Sequence, residues 1–535
     1  MGVVRPDTDS VDAVTSITWI VLFVLTTVTI TGVVGRIGWS APVALVVVGG
    51  AVSFIPGIPH VAVEPEQILY GILPPLLFAA AMQTSVIDVR ARRDSILLLS
   101  VGLVAFTVVV LGFATWMLVP AITLAAAFAF AAVVAPTDAI AVTAIAGRLG
   151  LPRRVVTILE GESLLNDATA LVALNASIAA IVSVVTPLEI AGEFVVAVVV
   201  GIGVGLAVGW IVSYVRAHLR SPVLDTSLML VIPFASFLLA QVLHGSGVLA
   251  VVIAGLYLGL RAPTVASAEA RVAERINWKT IQFILENAVF LFIGLNLSGI
   301  LAGALRTGPG LWQTVVICLG ILTTLVVSRF AWVMATTLLY RKGPRRLRER
   351  SWAWGNGVAV ASASVRGVVT LAAVFLLPPE TPSREYLQFL AFVVVVASLF
   401  GGLALPTIIR MLHLPRPNDA QEIAERRLLM AEARSAGIRR LDEVTTPTDE
   451  QRVIDQLRAD AGFLGETLDR YGADASIPQF DSKLRLRREM LAAERDAVLA
   501  ARHEGRYQEP AIVAALRAID AEETALKAQN PNPEG

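Results

Sequence analysis

Long apolar runs limit what this chain can fold into more than any other feature of its sequence. From Val14 to Leu412 of the 535 residues, such runs follow one another with only short polar breaks between them. About 20 mostly apolar residues are enough for a helix to cross the hydrocarbon core of a bilayer. The sequence therefore predicts an all-α polytopic membrane protein with thirteen transmembrane helices, at 14–34, 39–55, 66–85, 95–119, 122–147, 154–184, 190–215, 223–243, 246–261, 277–300, 311–340, 352–378 and 386–412.

The charged residues divide the chain into two parts. Residues 413–535 contain 41 of the 86 Asp, Glu, Lys and Arg side chains. We predict a transmembrane domain at 1–412 and a cytoplasmic helical tail at 413–535 with a regulatory or dimer-supporting role. A loosely ordered charged extension is the alternative. In the tail, two predicted apolar helical faces consist of Val453, Leu457, Ala461, Leu464 and Leu468, and of Ile512, Leu516, Ile519 and Leu526.

Basic residues in the predicted loops give the orientation of the chain. One set of alternating loops contains 19 Lys and Arg side chains, whereas the loops on the opposite side contain two, Arg306 and Arg384. Because positively charged loops stay in the cytoplasm, we predict that the N-terminus lies outside and the tail inside. The opening sequence, MGVVRPDTDSVD, is acidic and polar, so no cleavable signal peptide is predicted.

The composition excludes several classes of partner and site. Lys plus Arg equals Asp plus Glu, at 43 each, so the overall charge does not favour nucleic acid as a partner. Cys318 is the only cysteine, which excludes an intramolecular disulfide and a cysteine-bearing zinc site. The sequence contains no G-x-x-x-x-G-K-[ST] loop, so the use of ATP is not predicted.

The informative residues are ionisable side chains inside the predicted spans, because each is costly there unless it faces water or a partner. Asp138 follows Pro136, which removes a backbone donor and interrupts the helix. Carbonyl groups left unpaired by such a break can coordinate a cation. The alternative is a proline kink with a helix-capping aspartate. The ionisable side chains in the spans are Asp138, Glu160, Glu162, Asp167, Glu286, Arg329 and Arg366.

Two polar faces occur on the span that contains the sequence LEGESLLNDATA. Ser163 and Asp167 are four residues apart and share one helical face, which Glu160 extends, and Glu162 and Asn166 share the neighbouring face. We predict that Ser163 and Asp167 bind an ion and that Glu162 and Asn166 make a structural bond.

The two arginines in the spans require a counter-ion. A lone buried Arg is very costly but is compensated beside Glu162, so at least one of Arg329 and Arg366 is predicted to pair with it. The sequence leaves both open. Glu286, in FILENAVFLFIG, is predicted to be either a second structural acid or a residue of the ion pathway.

Six motifs carry a family resemblance: LPPLLF (73–78), PTDAIAV (136–142), GESLLNDATA (161–170), GSGVLAVVIAGL (245–256), ENAVFLFIGL (286–295) and SVRGVVTLA (364–372). Together they resemble the monovalent cation/proton antiporter family, in its bacterial sodium/proton exchanger branch. The resemblance implies two inverted repeats with broken crossing helices, alternating access, a homodimer and a place in the bacterial inner membrane. The family commonly continues LPPLLF with an acid, where this chain has Ala79.

The resemblance also implies roles for individual residues. Asp138 and Asp167 correspond to the transport carboxylates, and Ser163 and the backbone around Thr137 to further ligands of the transported Na⁺. Glu162 and Asn166 resemble the structural pair that binds a core arginine, for which Arg329 and Arg366 both qualify.

The predicted function is a secondary active antiporter that exchanges sodium or lithium for protons and so serves pH and sodium homeostasis. It is not predicted to be an enzyme or to need a cofactor. The resemblance implies one proton for one cation, because electrogenic relatives carry Asp-Asp where this chain has Asn166 and Asp167, and an Asn cannot titrate.

Three alternatives differ in substrate or in class. Potassium/proton exchange is the nearest alternative, because selectivity depends on geometry that a sequence does not contain. A cation channel would need a filter of carbonyls or acid rings. An intramembrane aspartyl protease would need a GxGD signature, whereas the acids here lie in GES and PTD contexts.

Overall fold

The structure is a computed structural model, and it describes residues 8–37, 40–56, 67–119, 122–138, 153–182, 187–342, 353–412, 419–446, 449–458, 477–503 and parts of 512–523. All regular secondary structure in these ranges is helical, which confirms the predicted fold class for the described residues. The chain divides into two compact units, residues 1–417 and 418–535.

Helices account for nearly all of the described part of the first unit. They are α1 (Thr8–Ile37), α2 (Ala41–Ser53), α3 (Leu73–Gln83), α4 (Val86–Ala91), α5 (Arg93–Leu118), α6 (Leu124–Val134), α7 (Arg153–Val182), α8 (Pro187–His218), α9 (Pro222–Val242), α10 (Gly247–Val265), α11 (Ala268–Leu295), α12 (Leu297–Thr307), α13 (Leu311–Lys342), α14 (Trp354–Ser362), α15 (Val368–Val374), α16 (Arg384–Gly402) and α17 (Leu405–Met411).

Eight helices in the described ranges are long and apolar enough to cross a membrane, and shorter apolar helices accompany them. The eight are α5, α9, α10, α11, α13, α16 and most of α7 and α8. The shorter ones include α2, α6 and α12. Each of the thirteen predicted spans contains described helical structure.

Two predicted spans contain interruptions, of which the one at Pro136 was predicted and is confirmed, whereas the position of the other was not predicted. In the span predicted at 122–147, α6 ends at Val134 and residues 135–138 are not helical, while 139–147 lie outside the described residues. In the span predicted at 352–378, residues 363–367 separate α14 from α15. Pro136 explains the first break because it cannot donate a backbone hydrogen bond. Hydropathy does not detect the second, because long apolar stretches on both sides of Ser364 and Arg366 keep the average high.

The predicted span at 277–300 also differs from the structure, in which α11 begins at Ala268. The Ser267 side chain caps this helix by accepting a hydrogen bond from the backbone N–H of Ala270 at 3.2 Å. The first turns of α11 are polar (AEARVAERI), so an apolar-run criterion starts the helix too late.

The core is formed around α6, which packs against α5 and α7. Its sequence, LAAAFAFAAVV, is apolar on all sides, and eight of its eleven residues are buried. A helix that is apolar all round is expected in the interior. Its position brings the break at 135–138 into the middle of the first unit.

Glycine allows two helix pairs to approach closely. A Cβ at Gly49 of α2 would lie 2.7 Å from the carbonyl oxygen of Leu291 in α11, and one at Gly294 would lie 2.6 Å from that of Val46. On α8, a Cβ at Gly205 would lie 2.6 Å from a backbone oxygen of α10. Small residues are typical of close helix contacts in membranes because side-chain packing replaces the hydrophobic effect there.

A buried ion cluster connects α8, α9 and α11. The guanidinium of Arg216 donates to Asp225 at 2.6 Å and to Glu274 at 3.0 Å, and all three side chains are buried. The predicted spans at 190–215 and 223–243 place Arg216 in a loop and do not indicate its partners.

The described part of the second unit contains α18 (Asp419–Val444), a short helix at 451–458 and α19 (Ile477–His503). Ile454, Leu491, Ile512 and Ile519 are buried. One predicted helical face is wrong, because Val453 and Leu457 are 51% and 49% exposed and the adjacent Ile454 is buried instead. Eight helical residues are too few for the apolar period to fix the buried face, and Ala461, Leu464 and Leu468 lie outside the described residues.

Candidate functional site

The two helix breaks meet in the first unit. The backbone N–H of Asp138 donates to the carbonyl oxygen of Val365 at 2.8 Å, which joins the segment after α6 to the segment between α14 and α15. Gly367 is required by the close approach, because a Cβ there would collide with the Asp138 carboxylate. We refer to residues 135–138 and 363–367 together as the crossing.

Glu162 and Asn166 of α7 hold the first segment of the crossing through Thr137. The side-chain amide of Asn166 donates to the Thr137 carbonyl oxygen at 3.1 Å and to its hydroxyl oxygen at 3.2 Å. The Thr137 hydroxyl donates to Glu162 at 3.1 Å. All three side chains are buried. The two α7 residues reach the same threonine because their four-residue spacing places them one above the other.

Arg329 of α13 is the ion-pair partner of Glu162 in the structure. Its Nη1 and Nη2 atoms donate to the two carboxylate oxygens of Glu162 at 2.6 and 3.3 Å. Nη2 also donates to the carbonyl oxygens of Val360 and Ala363 at 3.0 and 3.2 Å. Those carbonyls lie at the C-terminal end of α14, where the helix dipole favours a cation.

Arg366 lies elsewhere in the crossing and is bound by uncharged groups. Its Nε donates to the Val134 carbonyl at the end of α6 at 3.3 Å, and its Nη1 donates to the Ser364 carbonyl at 2.7 Å. Its backbone N–H donates to the hydroxyl of Ser398 in α16 at 2.9 Å. Of the two arginines that the sequence left open, the structure therefore brings Arg329 to Glu162.

Asp138 and Asp167 directly follow Thr137 and Asn166, which are hydrogen-bonded to each other, so the two acids lie on adjoining segments. Both are half-buried, as is Ser163, which lies one turn before Asp167 on α7. Carboxylate and hydroxyl oxygens are the hard ligands that alkali and alkaline-earth cations prefer. In the described ranges, no three His, Cys, Asp or Glu side chains converge as metal ligands.

Ala79, where the family commonly has an acid, lies on the buried side of α3. Its side chain is fully buried, and its carbonyl oxygen accepts a hydrogen bond from Gln83 at 3.0 Å. Neither the role of Gly367 nor the binding of Arg329 to the end of α14 was predicted from the sequence. A glycine directly after an intramembrane arginine was the available signal for the first, whereas nothing local indicated the second.

A family model described as "Sodium/hydrogen exchanger, transmembrane" matches residues 21–411. The chain belongs to the sodium/hydrogen exchanger family. The match covers the whole crossing together with α7, α11 and α13.

Two bacterial relatives of the exchanger match over most of both chains. An "Uncharacterized Na(+)/H(+) exchanger" of Mycobacterium tuberculosis is 31% identical over 510 residues, which are 92% of each chain. Another from Escherichia coli is 29% identical over 488 residues, 85% of this chain and 88% of the relative. A "Sodium, potassium, lithium and rubidium/H(+) antiporter" of Bacillus subtilis is 30% identical over 386 residues, 67% of this chain and 56% of the relative.

The fold of the exchanger is similar to a solved structure. The sodium proton antiporter MjNhaP1 from Methanocaldococcus jannaschii aligns with a TM-score of 0.61 at 17% identity, over 75% of this chain and 100% of that one. The predicted family is confirmed, and the exchanger is an integral membrane protein of a cation/proton antiporter family.

Replacement of Glu162 should destabilise the exchanger. Glu162→Ala leaves the buried Arg329 guanidinium without its counter-ion, and the loss of one partner of a buried pair costs about 3–5 kcal/mol. Thermal unfolding in detergent should show a lower Tm and a lower yield of folded protein. Glu160→Ala is the matched control, because Glu160 is an exposed carboxylate on the same helix. An equal Tm for the Glu162→Ala and Glu160→Ala variants would contradict a structural role for Glu162.

Proposed function

We propose that this chain is a secondary active antiporter that exchanges sodium or lithium for protons across the bacterial plasma membrane. The observation that carries the proposal is that Asp138 and Asp167 directly follow the hydrogen-bonded residues Thr137 and Asn166, at the crossing of two interrupted helices. Two neighbouring carboxylates hold their protons more firmly, because each disfavours the charge of the other. A bound sodium ion removes that repulsion and displaces the protons, so the same oxygens hold either substrate but not both.

Two further groups are proposed to complete the sodium shell. Ser163 offers a hydroxyl oxygen on the face of Asp167, and the backbone at Thr137 offers a carbonyl oxygen at the break. Glu162, Asn166 and Arg329 keep that segment in place without binding the ion. Hard oxygen ligands of this kind suit an alkali ion.

Exchange also requires that the site open to one side of the membrane at a time. We propose thirteen spans in two inverted repeats, each with one broken helix at the crossing, and a homodimer in which the core moves. The presence of two breaks that contact each other supports this arrangement. Cross-linking of the exchanger in native membranes tests the dimer, and a monomer alone would contradict it.

Loss of either transport carboxylate should abolish exchange. Asp167→Asn and Asp138→Asn should each yield folded protein without sodium-driven proton movement in proteoliposomes. Each substitution removes one of the two carboxylates for which sodium ions and protons compete. Glu160→Gln, an exposed carboxylate of α7, is the control and should transport like the parent. Parent-like exchange by Asp167→Asn would refute the assignment.

The same assay separates the proposed substrates. The Bacillus subtilis relative bears the name of an antiporter for sodium, potassium, lithium and rubidium, so potassium/proton exchange is the second candidate. Sodium, lithium and potassium should be compared across pH. Exchange with potassium at the rate of sodium would favour that candidate.

One proton is proposed to move for each cation. Asn166 has no ionisable group, and its amide is already bound to Thr137. The rate of sodium-driven proton movement should therefore not depend on a membrane potential clamped with potassium and valinomycin, once potassium has been excluded as a substrate. A rate that rises steeply with the imposed voltage would overturn the proposed stoichiometry.

The tail is proposed to be a cytoplasmic regulatory unit. Its division from the rest of the chain supports this, as do its exposed ion pairs, such as Arg458 with Asp442 at 2.7 Å. A chain truncated after Pro417 should still insert and exchange, with altered pH dependence or affinity. Complete loss of transport by well-folded truncated protein would make the tail part of the transport machinery.

A further inference from the structure

A cavity of about 240 Å³ lies beside the crossing. Its walls come from α13, α16, α17 and the segment that runs from the end of α14 to Arg366. The hydroxyl groups of Ser362, Ser364 and Ser398 line it, and the other lining residues apart from Arg366 are apolar or glycine. Because one water molecule takes up roughly 30 Å³ in the liquid, the cavity has room for a small ion with several water molecules.

Arg366 lines this cavity and has a donor group without an acceptor among the described residues. The residue is only 4% exposed. Its Nε and Nη1 atoms donate to Val134 and Ser364, but within the described part of the chain its Nη2 atom makes no hydrogen bond. The hydroxyl of Ser362 likewise makes none with a described residue. Two unused donor groups therefore belong to the lining of one cavity.

The walls of the cavity supply no counter-ion for the Arg366 guanidinium. No Asp or Glu belongs to the lining. The helices α13, α14 and α17 contain no acidic residue at all. The one acid of α16, Glu385, lies in its first turn, at the far end from the lining residues of that helix, and pairs with Arg306 at 3.6 Å.

Two acids approach the crossing from other segments, and neither lines the cavity. Glu162 is bound to Arg329. Asp138 contacts the crossing through the two residues that flank Arg366. Every hydrogen bond of the Arg366 side chain within the described residues goes to an uncharged acceptor. A buried charge without an ionic partner is costly, so the cavity is the place where such a partner can bind.

We propose that this cavity binds a small monovalent anion, of the size and charge of chloride, as the counter-ion of Arg366. The Nη2 group of Arg366 and the hydroxyl of Ser362 donate hydrogen bonds to the anion. One guanidinium charge favours one negative charge. The largely apolar walls disfavour an anion with many hydroxyl groups, such as gluconate, because those groups would lose their hydrogen bonds to water. The inference does not depend on which cation is exchanged.

The cavity is open on one side. Val326 of α13 and Gly401 of α16 belong to the lining and are exposed. α17 contributes Ile408 to the lining, and its one charged residue is the exposed Arg410. Positive charge on a wall helix raises the local concentration of anions. Because α17 directly precedes the tail that is predicted to be cytoplasmic, we expect the anion to enter from the cytoplasmic side.

The test measures thermal unfolding of the purified exchanger in detergent while chloride replaces gluconate at constant sodium concentration and ionic strength. A ligand that binds only the folded state stabilises it in proportion to the logarithm of its concentration. Above the Kd, the Tm should therefore rise by about 2 °C for each tenfold increase in chloride. Equilibrium dialysis with radioactive chloride should show one saturable site per protomer, from which bromide displaces the label and gluconate does not. A Tm that does not respond to chloride, or the absence of saturable binding, would overturn the inference.

Two variants locate the site in the cavity. Arg366→Gln removes the charge and should abolish the dependence of the Tm on chloride. Ala397→Leu adds volume to a lining residue and keeps Arg366, so it tests the site even if Arg366→Gln does not fold. In a closely packed interior the larger side chain displaces the ligand, and the Kd for chloride should rise about tenfold or more.

Matched controls separate binding from a general effect of salt. Arg306→Gln removes an exposed arginine, and Ala335→Leu adds the same side chain at an exposed position of α13 outside the lining. Both should respond to chloride like the parent. A parent-like response in Arg366→Gln or in Ala397→Leu would overturn the inference, because an effect of salt on the whole protein acts on every variant alike.

Discussion

The buried ion pair between Arg329 and Glu162 is the interaction on which the crossing depends. It joins α13 to α7, and its remaining hydrogen bonds reach the end of α14 and, through Thr137, the segment after α6. Removing two charges from water is costly, and close geometry together with additional hydrogen bonds offsets that cost. The pair therefore stabilises a junction of four separate chain segments, where both helix breaks leave backbone groups that need partners.

Much of the fold follows from hydropathy alone. Apolar runs of about 20 residues indicate membrane helices wherever they occur, and every predicted span contains a described helix. The interruption at 363–367 was not predicted, because its cause is the close approach of Gly367 to Asp138, a contact between residues more than two hundred positions apart. The polar start of α11 at Ala268 was missed because a helix can extend beyond the apolar run.

The site was predictable where its residues are neighbours on one helix. The four-residue spacing on α7 placed Glu162 with Asn166, and both contact Thr137 in the structure. The choice between the two arginines was not predictable, because each lies in a similar apolar context and only tertiary packing brings Arg329 to Glu162. The roles of Asp138 and Asp167 as ion ligands stay predictions.

The hydrogen bonds of Arg329 restrict which residue can occupy that position. Two nitrogens of one planar group serve five acceptors: both oxygens of Glu162, the Val360 and Ala363 carbonyls, and the Thr137 hydroxyl at 3.4 Å. A lysine has a single nitrogen with three donors, so it can make at most three of these five contacts although it carries the same charge. Shape, and not charge alone, determines the amino acid at position 329, and an exchange of one basic residue for another is not conservative there.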